Sequence, residues 1–337
     1  MGRLKNQNII RLHRKILTIT GVIFLMTTGI SCYSCDNNNN KSLGNGQAKW
    51  AGCRSSEYGI DPFPTPSGWT TYVNKMKSYY KGSKGALVWI VGYVTEYNSR
   101  RPELSWTCHL NFSVTDAELA EIGLTRTSSS LEGIRFSEED ENEDYLTAFD
   151  KAGYDVWLQV ESGKCDLETL AKVVMNHYKK HSCVKGFGID VEWYNPGAYQ
   201  NNDGGKGAKL KGYGTQLSDE VANKVDKAVK GVKSNYSTFV KHWDSRWLPE
   251  KFPSDMIFVN DSQQFTSLEQ MQQDFQYWAE LYYPNNVFFQ IGYDEDEDLW
   301  STYSNPARDL GAYLLDGVKD SNKCGIIWVD FTLQSVL

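Results

Sequence analysis

The feature that most constrains the fold is a series of eight short apolar segments separated by longer amphipathic stretches. Nearly continuous apolar runs are typical of parallel strands that are covered on both faces. Eight such strands alternating with helices predict an α/β protein, a (β/α)8 TIM barrel, which we expect to form one domain over residues 50–337. The segments are 87–94, 109–114, 155–160, 186–193, 238–243, 256–260, 287–293 and 325–331.

The stretches between these segments carry helical patterns. Within 219–233, valines recur along one face, and 167–178 and 268–281 also have helical spacing. Residues 47–86 are interpreted as a loop-rich lead-in followed by a helix. A doubly wound open sheet is the alternative architecture, but no glycine-rich phosphate-binding fingerprint follows the first predicted strand, which disfavours a nucleotide-binding version.

The N-terminal part of the chain is typical of a targeting segment. Basic residues up to Lys15 precede an apolar stretch at 16–30, which has signal-peptide length and is shorter than a typical membrane-spanning helix. The small residues before Cys32 resemble a bacterial lipobox, although Gly29 stands where leucine is usual, and the resemblance implies lipidation of Cys32. We predict a signal peptide or lipoprotein anchor over 1–35 and a flexible polar linker over 36–49.

These features predict an exported protein, either a cell-surface or outer-membrane lipoprotein or a secreted one. The formal charge is −7, and the part of the chain after the basic N-terminal segment is more acidic still. Such a charge argues against nucleic acid as a partner and limits the expected membrane contact to the N-terminal anchor. A monomer is the default expectation.

The seven cysteines match no zinc-binding spacing, so the sequence predicts neither a metal nor another cofactor. In an exported protein the later cysteines could form disulfides, but their pairing is not readable from spacing. The acidic runs at 138–144 and 294–298 are interpreted as solvated loops, although the second could attract a cation.

The segment with the clearest chemical content is 185–194. Side chains alternate along a strand, so Gly188, Asp190 and Glu192 should share one face while the apolar residues between them pack against helices. Burying two carboxylates at the C-terminal end of a barrel strand costs desolvation free energy, so such a pair indicates a functional role. Their proximity should separate their titrations and keep one of the pair protonated near neutral pH, as a glycosidase acid requires. The plainer alternative is a strand end whose acids meet solvent or a nearby lysine.

The run GFGIDVEW at 186–193 is similar to the fourth-strand signature D-G-x-D-x-D-x-E of the family 18 glycoside hydrolases, which include chitinases and endo-N-acetylglucosaminidases. Glu192 falls on the final Glu, which is the proton donor of the family, and Asp190 falls on the last Asp. Lys185 and Gly188 replace the first two motif acids. The stretches 91–98, 109–114 and 325–331 resemble the first, second and eighth strands of the family.

The resemblance implies hydrolysis of β-linked N-acetylglucosamine-containing glycans, such as chitin-like polymers, N-glycans or peptidoglycan, with retention of configuration. Glu192 would protonate the glycosidic oxygen, the acetamide of the substrate would attack the anomeric carbon, and Asp190 would orient that acetamide. Trp328 would take the place of the tryptophan that floors the sugar site, and Glu161 could replace a lost carboxylate. The other candidate sugar-binding residues are Tyr93, Asn260, Asp261 and Gln290.

Two further functions stay open at this point. The replaced motif acids favour a non-catalytic surface barrel that binds glycans without cleaving them. The D-V-E strand ending also resembles the family 25 lysozymes, which cleave peptidoglycan; these need an early Asp near the first strand, where this chain has only Glu96.

Overall fold

The computed structural model describes residues 47–95, 105–196 and 214–337. Eight parallel strands close into a barrel in the order β1, β2, β5, β6, β7, β8, β9, β10 and back to β1, which confirms the predicted fold class. The strands are β1 (Trp50–Ser55), β2 (Lys84–Thr95), β3 (Thr107–Leu110), β4 (Ile134–Phe136), β5 (Asp155–Val160), β6 (Val184–Asp190), β7 (Ser237–Lys241), β8 (Ile257–Asn260), β9 (Asn286–Ile291) and β10 (Cys324–Trp328).

Helices surround the barrel, and several begin at a residue whose side chain caps the first turn. Thr115 and Glu118 form a complete capping box, and Ser218 and Ser267 cap two of the three helices anticipated from periodicity. The helices are α1 (Pro66–Tyr79), α2 (Asp116–Glu121), α3 (Glu143–Ala152), α4 (Leu167–Tyr178), α5 (Asp219–Val232), α6 (Leu268–Leu281), α7 (Glu297–Trp300), α8 (Pro306–Leu315) and α9 (Leu333–Val336).

One predicted barrel strand was wrong. The segment 109–114 contributes only to β3, which pairs antiparallel with the end of β2 outside the barrel and carries β4 on its other edge. The eighth barrel strand is β1, which lies in the stretch interpreted as a loop-rich lead-in. Its sequence WAGCRS lacks an apolar run, and Gly52 is required because a Cβ there would lie 1.7 Å from the carbonyl oxygen of Ala86 on the neighbouring strand.

The barrel interior is a packed core of its own. The rings of Trp50, Trp157 and Phe288 meet edge to face, with centroids 5.1–5.6 Å apart. A second, larger apolar cluster lies between the strands and the helices. Side chains therefore fill the interior of the barrel, and a ligand can reach only the ends of the strands. The cluster inside the barrel consists of Trp50, Ala86, Val88, Trp157, Phe239, Ile257, Val259, Phe288 and Ile327.

The predicted signal segment, Cys32 and most of the linker lie outside the described residues, so export and lipidation stay predictions. Across the ranges that the structure describes, no helix combines the length and the hydropathy needed to cross a membrane.

Candidate functional site

A buried polar layer covers the apolar interior at the C-terminal ends of the barrel strands. Five of the eight barrel strands carry an inward-facing polar residue on the C-terminal side of the apolar cluster, and Asp261 directly after β8 is a sixth; all six residues are at most 3% exposed. Polar groups buried to this extent need hydrogen-bond or ionic partners. The layer is composed of Arg54 on β1, Gln159 on β5, Asp190 on β6, Lys241 on β7, Asp261 after β8 and Gln290 on β9.

Lys241 links two carboxylates in this layer. Its Nζ lies 3.0 Å from Oδ2 of Asp190 and 2.5 Å from Oδ2 of Asp261, and Gln159 Nε2 donates to the same Asp190 oxygen at 3.0 Å. Burial lowers the pKa of Lys241, but Asp190 and Asp261 more than reverse this and hold the pKa well above its usual value. Lys241 is therefore a buried ammonium group.

Asp190 experiences opposing influences. Burial raises its pKa well above the usual range, the Lys241 ammonium works against this rise, and the negative charge of Glu192 adds to it. Only one of the two carboxylate oxygens is engaged by Lys241 and Gln159. The other, Oδ1, is buried and has no hydrogen-bond partner in the part of the chain that the structure describes.

A second chain of hydrogen bonds crosses the opposite side of the mouth. Arg54 donates from Nη1 to Asp330 at 2.8 Å and from Nη2 to the Tyr58 hydroxyl at 2.6 Å. Tyr58 in turn donates to Glu161 Oε1 at 2.8 Å, and the Val94 amide donates to Glu161 Oε2 at 3.1 Å. Burial raises the pKa of Glu161, although the bond from Tyr58 opposes the rise.

Glu192 lies next to both networks. The strand β6 ends at Asp190, and Glu192 follows in a 3-10 turn over Val191–Trp193, where it is half-buried. Its charge raises the pKa of Asp190 and of Glu161, so Glu192 is close enough to interact electrostatically with both carboxylates. The structure therefore brings Asp190, Glu192 and Glu161 together, and Glu192 is the most accessible of the three.

Gly188 stands where the family 18 signature has its middle acid, and the structure has no room for a side chain there. A Cβ at this position would lie 2.0 Å from the ring of Phe239 on β7. Phe239 is fully buried inside the barrel, so no side chain fits between the two strands here. The aromatic residue on the neighbouring strand thus excludes an acidic side chain at position 188.

Several buried polar atoms at the mouth have no hydrogen-bond partner among the residues that the structure describes. They are Nε of Arg54, Oε1 of Gln159, Oδ1 of Asp190, Oδ1 of Asp261 and Nε2 of Gln290. Leaving such a group unsatisfied costs about 1–3 kcal/mol, so these atoms are expected to bind water or a ligand. Because the set offers both acceptors and donors, it suits a ligand that carries hydroxyl and amide groups.

Trp328, which was expected to floor the sugar site, does not line the mouth of the barrel. Trp328 is fully buried, its ring packs edge to face against Trp300 at 5.7 Å, and its Nε1 donates to Thr332. Along β10 the inward position belongs to Ile327, so the next residue, Trp328, points toward the outer layer. The run GIIWVDF is too uniformly apolar for its sequence to indicate which residues face inward.

Asn260 also lies outside the site. Its Nδ2 donates to Asp274 on α6 at 2.8 Å, which directs the side chain away from the mouth, whereas the next residue, Asp261, points into it. Tyr93 is at the rim, where its hydroxyl accepts a hydrogen bond from the Glu57 amide and its ring meets Tyr58 edge to face at 5.9 Å.

Four residues of the site were not anticipated: Arg54, Tyr58, Lys241 and Asp330. Lys241 had a local signal, because it is a lysine at the C-terminal end of a buried strand. Asp330 is two residues beyond the last strand, where site residues of a barrel are expected. Arg54 and Tyr58 had none, since β1 was not predicted.

The acidic run at 294–298 is not entirely a solvated loop. Asp296 is buried and accepts a hydrogen bond from the Phe265 amide at 2.8 Å, while its four acidic neighbours are exposed. Burial raises the pKa of Asp296 to about 6. Asp296 thus anchors the loop between β8 and α6. The other acidic run, 138–144, is also only partly exposed to solvent, because Asp140 is half-buried against His177.

One group of side chains has a composition that suits a metal ion. Ligand atoms of Asp150, His181 and Cys183 all lie within 4.8 Å of one another. They already bond among themselves: His181 Nδ1 contacts Asp150 Oδ2 at 2.7 Å, and the Cys183 amide donates to Asp150 Oδ1 at 2.7 Å. The group precedes β6 and is at the opposite end of that strand from Asp190, so it links α3 to the barrel and does not serve the mouth.

No family model, no curated protein and no solved structure matches the chain. The resemblance to family 18 therefore depends on the sequence segments described above, of which only the motif around Asp190 and Glu192 is specific.

Proposed function

We propose that the protein is a glycoside hydrolase that cleaves β-linked N-acetylglucosamine-containing glycans at the C-terminal mouth of the barrel. The observation that carries the proposal is the half-buried Glu192 beside a buried Asp190 whose Oδ1 has no protein partner among the described residues. A proton donor must be accessible to the substrate, as Glu192 is. Oδ1 of Asp190 can accept a hydrogen bond, and the N–H group of an acetamide can donate one.

The two carboxylates have different tasks in this reaction. Glu192 protonates the glycosidic oxygen, and the acetamide oxygen of the substrate attacks the anomeric carbon as the bond breaks. Oδ1 of Asp190 accepts a hydrogen bond from the acetamide N–H and thereby directs the acetamide oxygen toward the anomeric carbon. Glu192 then takes a proton from water, which attacks the same carbon and releases the sugar with retained configuration.

Lys241 and Gln159 act through Asp190. Both bind its Oδ2, which fixes the plane of the carboxylate and leaves Oδ1 free to accept. The unpartnered atoms of Asp261 and Gln290 bind sugar hydroxyl groups at the floor, and the rings of Tyr58 and Tyr93 form an aromatic wall at the rim.

A second candidate is a glycan-binding barrel without catalytic activity. The observation that favours it is the ion pair between Asp190 and the buried Lys241, together with the packing of Phe239 against Gly188, where the family carries a further acid. For the lysozyme-like alternative, the acid that follows β1 is the exposed Glu57 and not an Asp, and Glu96 is outside the described residues.

The full-length chain in detergent, incubated with chitooligosaccharides, a high-mannose glycoprotein and peptidoglycan, tests the proposal. Released sugar is quantified by mass spectrometry for the wild type and for Glu192→Gln. Loss of the general acid should lower turnover by about 10²–10⁴-fold.

Glu168→Gln is the matched control, because Glu168 forms an ion pair with Lys172 on the outer helix α4. It should cleave like the wild type. Glycan binding without turnover by the wild type would establish the second candidate, and equal turnover by wild type and Glu192→Gln would exclude the assigned role of Glu192.

A further inference from the structure

Two cysteines lie in contact beside the barrel mouth. Cys108 is in β3, and Cys165 is in the loop between β5 and α4. The backbone amide of Cys108 donates to Sγ of Cys165, with 3.3 Å between nitrogen and sulfur. Because the amide nitrogen is bonded to the Cα of Cys108, the sulfur of Cys165 is within reach of the Cys108 side chain through rotation about side-chain bonds.

The other described cysteines have different neighbours. Cys183 Sγ donates to the carbonyl of Leu146, and Cys324 Sγ contacts the carbonyl of Asp320. Cys53 is fully buried in β1, and burial together with the negative charge of Asp330 raises its pKa. Among the cysteines that the structure describes, Cys165 is thus the only one whose sulfur contacts another cysteine, Cys108.

We propose that Cys108 and Cys165 form a disulfide bond in the exported protein. The bond joins β3, which pairs antiparallel with the end of β2, to the segment that follows Glu161. This segment already contacts the same region, since the Lys164 amide donates to the carbonyl of Trp106 at 2.8 Å. The disulfide makes that contact covalent and fixes one wall of the mouth.

The oxidation needs a partner that accepts two electrons, and a protein disulfide of the thiol–disulfide oxidoreductase class supplies it. One cysteine thiolate attacks the donor disulfide, which forms a mixed disulfide and releases one donor thiol. The second cysteine thiolate attacks the mixed disulfide and releases the other donor thiol. The two cysteines lose two protons and two electrons, and the donor is reduced to a dithiol.

Burial determines when the bond can form. Both side chains are at most 1% exposed. Burial raises the pKa of Cys165 to about 12 and that of Cys108 well above its usual value. Because the thiolate is the reactive species, the bond must form before the site closes during folding, and once formed it is shielded from reductants.

Peptide mapping of the full-length chain tests the proposal without any substitution. The chain is produced in an oxidising secretory compartment and is also refolded from denaturant in oxidised and reduced glutathione, so that the outcome does not depend on export. Free thiols are alkylated under denaturing, non-reducing conditions. The expected result is one linked peptide pair containing Cys108 and Cys165, with alkylated Cys53, Cys183 and Cys324.

Alkylation of both Cys108 and Cys165 in the glutathione-refolded chain would overturn the proposal, as would a link from either one to another cysteine. Thermal unfolding gives a second readout. Prior reduction in denaturant should lower the Tm of the wild type and of Cys324→Ser, but should not change the Tm of Cys108→Ser/Cys165→Ser. Since neither measurement involves glycan turnover, failure here is distinct from failure of the proposed hydrolase activity.

Discussion

Lys241 is the residue on which the electrostatics of the barrel mouth depend. It is 2% exposed and sits between Asp190 and Asp261, neither of which has another cationic partner in contact within the described part of the chain. A buried ion pair is a weak source of net stability, but the loss of one partner leaves an uncompensated charge in a low-dielectric site. The loss of Lys241 should therefore lower the stability of the protein more than the loss of a single exposed charge.

Lys241→Met should destabilise the protein by about 3–5 kcal/mol, because two buried carboxylates lose their counter-ion. Urea unfolding measures the difference. Lys224→Met provides the control, since Lys224 forms an exposed i,i+4 pair with Glu220 on α5. The control should unfold close to the wild type, and equal effects of the two substitutions would contradict the assigned role of Lys241.

Gly188→Ala should also destabilise the protein, by about 1–3 kcal/mol, because the added methyl group overlaps the Phe239 ring in a packed interior. Gly231→Ala on α5 is the matched control: a Cβ there meets nothing within 4 Å, and alanine favours the helix. Chemical denaturation of both variants checks the prediction, which is wrong if Gly188→Ala is as stable as the control.

At the scale of elements, His177 connects three segments outside the barrel. It lies on α4, contacts Glu118 of α2 at 2.6 Å and Asp140 before α3 at 3.1 Å, and stacks on Phe112. Burial lowers the pKa of His177, but the bonds to Asp140 and Glu118 raise it above 6.5 overall. The protonated ring thus joins α2, α4 and the segment that precedes α3.

The pH dependence of stability follows from these shifts. The stabilisation from His177 is complete below its unfolded pKa of 6.5 and is lost as the pH rises through the higher folded value. Hydrogen bonds lower the pKa of Glu118 and Asp140 despite burial, so their stabilisation is complete above unfolded values of 4.5 and 3.8 and is lost at lower pH.

The stability difference between wild type and His177→Gln should therefore be largest between about pH 4.5 and 6.5 and should shrink above this range. Urea unfolding at a series of pH values gives the profile. His109→Gln should show the opposite trend, because partial desolvation and the positive charge of Arg135 lower the pKa of His109. A difference independent of pH would show that His177 acts only through packing.

At the scale of the whole molecule, closure of the barrel depends on a strand that has no apolar run. β1 pairs with β10 on one side and with β2 on the other, and Trp50 fills the interior. Without β1, the edges of β2 and β10 would be unpaired and the interior would open to water.

A chain that starts at Gly44, where the compact unit begins, should unfold at the same Tm as the full-length protein. A chain that starts at Ser56 lacks β1 and should not give a cooperative transition. Thermal unfolding followed by circular dichroism distinguishes them, and a cooperative transition in the shorter chain would show that seven strands suffice.

The sequence by itself determined the class of the fold, because periodicity is a local property that each segment carries whatever its surroundings. Seven barrel strands and the helices α4, α5 and α6 were predictable in this way. So was the inward direction of Asp190, since alternation along β6 follows from the backbone and from the apolar residues that flank it.

Only the tertiary structure decided which strands close the barrel, that Trp328 and Asn260 face outward, and that Lys241 and Arg54 bind the acids of the mouth. The orientation of a uniformly apolar strand depends on its register with its neighbours, and nothing in the strand itself indicates this. Lys241 and Asp190 are brought together by adjacent strands that are distant in sequence, so their pairing exists only once the barrel has formed.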